Sequence, residues 1–103
     1  MLDLAAAIRS HVDVPVIAAG RLATGTVAEQ AIAEGKSDLI GLARVLWADP
    51  RWPQKVRDGR EEEIIRCDPA CGEACMQMVM KGRPAFCVRW PAEKMKVWKE
   101  KFV

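Results

Sequence analysis

The chain has 103 residues, half of them hydrophobic and 29% charged, with a formal net charge of +2. This is an ordinary soluble composition, which by itself predicts a single small domain. Basic residues are interspersed with acids until the last stretch, which excludes the footprint of a nucleic-acid-binding surface. No apolar run approaches the ~20 residues needed to span a bilayer, and Asp3 stands where a signal peptide would carry basic residues. The expectations are a cytoplasmic location, no nucleic acid and no membrane, and reduced cysteines that favour a metal or cluster site over disulfides.

Leu2, Leu4, Ala5 and Ile8 fall on roughly one helical face, closed by Arg9-Ser10-His11. No start signal precedes this helix, so the expectation is a chain that begins inside a larger fold. Val14-Pro15-Val16-Ile17-Ala18-Ala19 is a continuous apolar run ending at Gly20. It reads as a strand buried on both faces, with Pro15 at its first position. Thr26 and Glu29 have capping-box spacing, Val27/Ala31 and Ala28/Ile32 repeat at helical intervals, and Gly35 supplies a stop. Leu39-Ile40-Gly41-Leu42-Ala43 is a second short apolar run, so strand, helix and strand predict a right-handed parallel crossover.

Asp49-Pro50 reads as cap and first residue of a helix through Val56 that stops near Asp58-Gly59. Glu61, Glu62 and Glu63 form a short turn leading to Cys67. Beyond Cys87, Met95, Trp98 and Phe102 share one face of a lysine-rich tail helix. Trp47, Trp52, Trp90 and Trp98 are expected to pack in the interior. Lys94, Lys96, Lys99 and Lys101 read equally as a docking face for an acidic redox partner or as a solvated helix face, and Met76, Met78 and Met80 as apolar cover for the cysteine site.

Cys67, Cys71, Cys75 and Cys87 are all the cysteines of the chain, three of them clustered and the fourth after a longer gap. Thiolates are soft ligands for iron-sulfur clusters and zinc, and three ligands on one short loop with a remote fourth suit a [4Fe-4S] cubane. Gly72 and Gly82-Arg83-Pro84 give the backbone room to wrap such a group. The alternatives are a four-cysteine zinc site, which usually pairs its ligands as two close couples, and disulfides or inert thiols.

VPVIAAGRL, then AEQAIAEGKSDLIGLARVLWADPRWPQKVRDGREEEI, then the cysteine loop ending KGRPAFCV together resemble a known family. It is the Old Yellow Enzyme class of NADH:flavin oxidoreductases, in its 2,4-dienoyl-CoA reductase and trimethylamine dehydrogenase branch. The resemblance runs from about Leu2 to Trp90. It implies the C-terminal fragment of a TIM (β/α)8 barrel followed by a cysteine-rich [4Fe-4S] loop. Residues 1–66 would be the last βα units of the FMN-binding barrel, 67–90 the cluster segment and 91–103 a lysine-rich tail. By family position, Ala19, Gly20, Arg21, Ala43 and Arg44 would meet the FMN phosphate, which such barrels hold after their late strands. Cys67, Cys71, Cys75 and Cys87 would ligate the cluster.

Two departures stand out. The family places two residues between its first two ligands, whereas Asp68-Pro69-Ala70 separates Cys67 from Cys71, and Ala43 stands where a glycine is common. No catalytic residue is assigned. The family's proton donors are Tyr or His on earlier strands; this chain has no tyrosine, and His11 precedes the first strand and reads as a solvent-facing helix end. No G-x-G-x-x-G follows Cys87. The resemblance therefore implies a piece of an FMN- and [4Fe-4S]-dependent oxidoreductase with NAD(P)H as electron donor. Its partners would be the rest of the barrel and a flavin/NAD(P)H redox domain, and the chain alone would not reduce substrate. A stand-alone ferredoxin-like electron carrier and a structural four-cysteine zinc module are the competing readings.

Overall fold

The computed structural model describes residues 2–68 and 71–103. They form two compact units, Met1–Ala43 and Arg44–Val103.

The first unit runs α1 (Leu2–Arg9), β1 (Ile17–Ala19), α2 (Gly25–Ala33) and β2 (Leu39–Gly41). The strands pair in parallel, Ile17 with Leu39, Ala18 with Ile40 and Ala19 with Gly41, as a helical crossover between them requires. The register is tight at Gly41, where a Cβ would stand 3.2 Å from the Ala19 Cβ and 3.3 Å from Ile17 Cγ2. Only glycine lets the two strands close there without displacing a neighbour.

The cap of α2 is Thr24, not Thr26: Thr24 is extended, and its hydroxyl accepts from the Val27 N–H at 3.3 Å. The sequence TGT offers two threonines, and the extended backbone that a cap needs falls on the first. The helix ends as expected at Gly35, whose φ of 71° is the left-handed turn. The Gly35 amide returns to the Ile32 carbonyl and the Lys36 amide to that of Ala31, a Schellman closure. The same pattern recurs after Gly59 and Gly82.

The unit's core is Ala18, Leu22, Ala28 and Ala31. The first strand is shorter than its apolar run and is not buried on both faces: Val14 is 65% exposed, Ile17 62% and, opposite it, Leu39 53%. The sheet has two strands, so most of their apolar surface has no covering layer within this unit.

Two polar residues stitch the strands. Ser37 is 2% exposed; its hydroxyl accepts from the Ala18 N–H and lies within bonding distance of the Val16 and Leu39 carbonyls. Asp38 accepts from the Val16 N–H through Oδ2 at 2.9 Å and from the Arg9 guanidinium through Oδ1 at 3.0 and 3.1 Å. Arg9 also donates to the Gly35 carbonyl, so the end of α1 is fixed to the turn after α2. Each partner holds the other charged: the Asp38 carboxyl lies below its ordinary value and the Arg9 guanidinium above its own. His11 lies exposed at the end of α1, its Nδ1 2.9 Å from the Ala7 carbonyl oxygen.

The second unit runs α3 (Arg44–Ala48), α4 (Trp52–Arg57), a 3₁₀ turn (Glu61–Glu63), α5 (Ala74–Met80) and α6 (Ala92–Phe102). The helix expected from Asp49-Pro50 starts later, at Trp52, with Pro53 in its first turn. Asp49 instead accepts from the Arg51 N–H through Oδ1 and closes the turn ahead of α4. Neither α3 nor α5 follows from the hydrophobic pattern, and both are short. Ala48, Trp52 and Ile64 form the core, while Trp98 of α6 packs between Phe86 and Phe102 at centroid distances of 4.8 and 5.8 Å. Lys94 lies 4.2 Å from the centre of the Trp90 ring, a cation–π contact rather than a fully solvated position. Among the described residues no helix is long and apolar enough to cross a membrane.

Candidate functional site: a four-cysteine pocket

All four cysteines belong to the second unit and line one pocket. Cys67 follows the extended segment after the 3₁₀ turn, Cys71 opens the next turn, Cys75 lies in the first turn of α5, and Cys87 lies on the return from α5 to α6. All four are free thiols; Cys67, Cys75 and Cys87 are half-buried and Cys71 is exposed. Pro69 and Ala70, two of the three residues separating the first two cysteines, lie outside the described residues.

The approach to Cys67 is fixed by a buried charge. Asp49 is 3% exposed; its Oδ2 accepts from Lys55 Nζ at 2.6 Å and from the Ile65 N–H at 3.0 Å. Lys55 also donates to the Glu63 carbonyl. Helix α4 and the strand-like segment two residues ahead of Cys67 therefore share one carboxylate. Burial alone would raise the Asp49 carboxyl, but Lys55 and the amides of Ile65 and Arg51 bring it below its ordinary value.

Beyond Cys71 the backbone turns through two left-handed residues, Gly72 (φ 79°) and Glu73 (φ 54°), before α5 begins. Glu73 stands at the N-cap of α5 but makes no side-chain cap bond. Its carboxylate accepts from Arg44 Nη1 at 2.7 Å. Asp68, beside Cys67, accepts from Arg89 Nη2 at 2.8 Å. Arg44 and Arg89 both line the pocket, together with Trp47, Phe86 and Val88. Burial pushes the Cys67 thiol up, Arg44 opposes that, and the other three cysteines add to it as like charges.

The apolar cover thus comes from Trp47, Phe86 and Val88. The methionines do not supply it: none lines the pocket, and Met76 and Met80 are exposed on α5. Trp52 is buried as expected, Trp47 is 37% exposed, and Trp90 donates its indole N–H to the Trp47 carbonyl. Sequence reasoning missed Asp49, Lys55, Asp68, Glu73 and Arg89 as parts of this site; Asp68, Glu73 and Arg89, which stand beside or between the cysteines, carried a positional hint. Among the described residues no group of three or more His, Cys, Asp or Glu is disposed to hold a single metal ion. Four thiols on one pocket are soft donors of the kind that hold zinc or an iron-sulfur cluster.

In the first unit, Ala19, Gly20 and Arg21 leave the C-terminal end of β1, and all three are exposed. Gly20 has φ 106° and Arg21 φ 56°. A left-handed non-glycine residue costs roughly 1–3 kcal/mol, and such strain concentrates at ligand sites. Ala43 is exposed just past β2, and Arg44 is the first residue of α3.

The sequence profile of the NADH:flavin oxidoreductase / NADH oxidase family matches residues 3–63. The chain is 41% identical over 85 residues to a metal reductase of Desulforamulus reducens, covering 82% of this chain and 13% of that one. It is 41% identical over 73 residues to an NADH oxidase of Thermoanaerobacter brockii, covering 71% and 11%. It is 34% identical over 85 residues to a cinnamate reductase of Clostridium sporogenes, covering 82% and 13%. The chain thus spans between 11% and 13% of the length of these relatives. Among solved structures, the 6-hydroxypseudooxynicotine amine oxidase of Pseudomonas geniculata N1 superposes with a TM-score of 0.77 at 30% identity, covering 88% of this chain and 13% of that one.

Proposed function

Because this chain belongs to the NADH:flavin oxidoreductase / NADH oxidase family, we propose that it supplies two parts of a flavin- and iron-sulfur-dependent oxidoreductase. These are the phosphate end of an FMN site and the ligand set of a [4Fe-4S] cluster. The observation that carries the cluster is the convergence of Cys67, Cys71, Cys75 and Cys87 on one pocket faced by apolar rings and two guanidinium groups. When bound, FMN would exchange a hydride with NAD(P)H or an organic substrate, and the cluster would pass single electrons.

The chain's own contribution is to hold and shield. Gly72 and Glu73 turn the backbone so that Cys71 and Cys75 come to the same pocket, Asp49 fixes the segment entering Cys67, and Trp47, Phe86 and Val88 limit water. The roles of Ala19, Gly20, Arg21, Ala43 and Arg44 toward a flavin phosphate rest on their positions in the family motif. The left-handed Arg21 is the structural observation that supports them. Arg44 reaches Glu73 through Nη1, and a guanidinium can pair with more than one anion.

The exposed faces around Val14, Ile17 and Leu39 support the further proposal that the two strands complete a (β/α)8 barrel whose other strands cover them. A substrate-reducing activity would then belong to the completed barrel.

The test is anaerobic purification with iron, sulfide, zinc and flavin analysis of one sample. About four irons and four sulfides per chain with broad visible absorbance support the cluster. Zinc without sulfide would leave a four-cysteine structural module and remove the electron-transfer role.

A further inference from the structure

We propose that Arg44 and Arg89 are positioning residues of the cysteine pocket: each ties down an acidic residue of the cysteine segment and keeps a guanidinium beside the sulfurs, raising the electron affinity of the group they hold. The inference rests on the cluster reading above.

The two pairs have the same construction. Asp68 is the neighbour of Cys67, and Arg89 lies two residues beyond Cys87, so their 2.8 Å bond joins the first and last cysteines across the segment. Glu73 lies between Cys71 and Cys75, and its 2.7 Å bond to Arg44 joins the middle of the segment to α3. In both pairs the arginine lines the pocket. Helix capping does not account for Glu73: it occupies the cap position of α5 with a left-handed backbone and bonds none of that helix's amides. Its carboxylate is directed to Arg44 instead.

Stability does not account for the pairs either. The side chains are 43% and 52% exposed in one and 43% and 49% in the other, and half-exposed ion pairs contribute little to folding. What the arrangement does provide is two guanidinium groups, with the Asp68 carboxylate, on the lining of a pocket that carries four cysteines. Reduction of a [4Fe-4S]2+ cluster to [4Fe-4S]+ adds one electron and moves no atoms. A nearby cation favours the reduced form and a nearby carboxylate disfavours it.

The experiment loads the full chain anaerobically with ferrous iron and sulfide and titrates it with dithionite as reductant. No flavin is added, and the paramagnetic signal of the reduced cluster is followed. The expected result is a negative shift of the midpoint potential in R44Q and R89Q, a positive shift in E73Q, and a near wild-type potential in R44K, which keeps the charge. A role confined to holding the loop predicts that R44Q and E73Q, which break the same bond, behave alike. Shifts of the same sign, or none, in a loaded chain would overturn this inference and leave the cluster reading intact. A wild-type chain that takes up no iron and sulfide would overturn both.

Discussion

Ser37 and Asp49 are the buried polar residues among those described, one in each unit, and they hold their surroundings in different ways. Ser37 is neutral, and it bonds backbone groups of β1, β2 and the segment ahead of β1. Asp49 is charged, and it joins a lysine and two backbone amides around the entrance to the cysteine segment. The first unit needs only to close a ladder between two strands that already have regular partners. The second has no sheet among its described residues, its described helices are short apart from α6, and a buried carboxylate placed between segments takes the ladder's place. Asp68 and Glu73 also bridge segments, but as half-exposed pairs that add little to stability.

The comparison can be broken first at Asp49. Asp49→Ala should cost the second unit about 3–5 kcal/mol, the usual effect of removing one partner of a buried pair. It strands Lys55, only 14% exposed, and frees the Ile65 amide, and urea denaturation followed by circular dichroism would register the loss. Acid should reproduce part of it. The Asp49 carboxyl is held below its ordinary value, so its contribution is fully present above the unfolded value of about 3.9 and is lost as pH falls through the lower folded value. The gap between wild type and Asp49→Ala should therefore narrow below about pH 4, and a gap unchanged down to pH 2 would show that the charge is not what matters.

Ser37→Ala should cost about 2 kcal/mol by leaving the Ala18 amide unpaired. That loss should stay the same between pH 4 and 8, because no titrating group is removed. Thr24→Ala, which deletes the cap of α2, should cost ~1 kcal/mol, with Thr26→Ala near zero as its control.

How far the sequence carries the reader depends on which kind of order is present. The parallel crossover, the Gly35 stop and the face shared by Met95, Trp98 and Phe102 follow from periodicity and turn chemistry, because those signals are local. The convergence of four cysteines was legible because thiols of this number and spacing have few other uses. Helix α5 was not legible, since it starts on a left-handed Glu73 without a side-chain cap. The exposure of Val14 and Ile17 was not legible either, because an apolar run encodes a strand to be covered and not what covers it. The partners of Arg44 and Asp49 lie 29 and 16 residues away, and no local pattern encodes such pairings. The resemblance implies a phosphate role for Arg44, whereas the bond that the side chain makes is to Glu73.

The placement of the aromatic rings has a practical result. Trp47, Trp52, Trp90 and Trp98, with Phe86 and Phe102, all fall in the second unit, and residues 1–43 contain no Trp, Tyr or Phe. Intrinsic fluorescence of this chain is thus a signal from the cysteine-bearing unit alone, against a silent strand-helix-strand background. Trp47 lines the pocket, and Trp98 stacks on Phe86, which also lines it. Filling of the pocket by a coloured metal-sulfur group would be seen as quenching of that emission, without any added label.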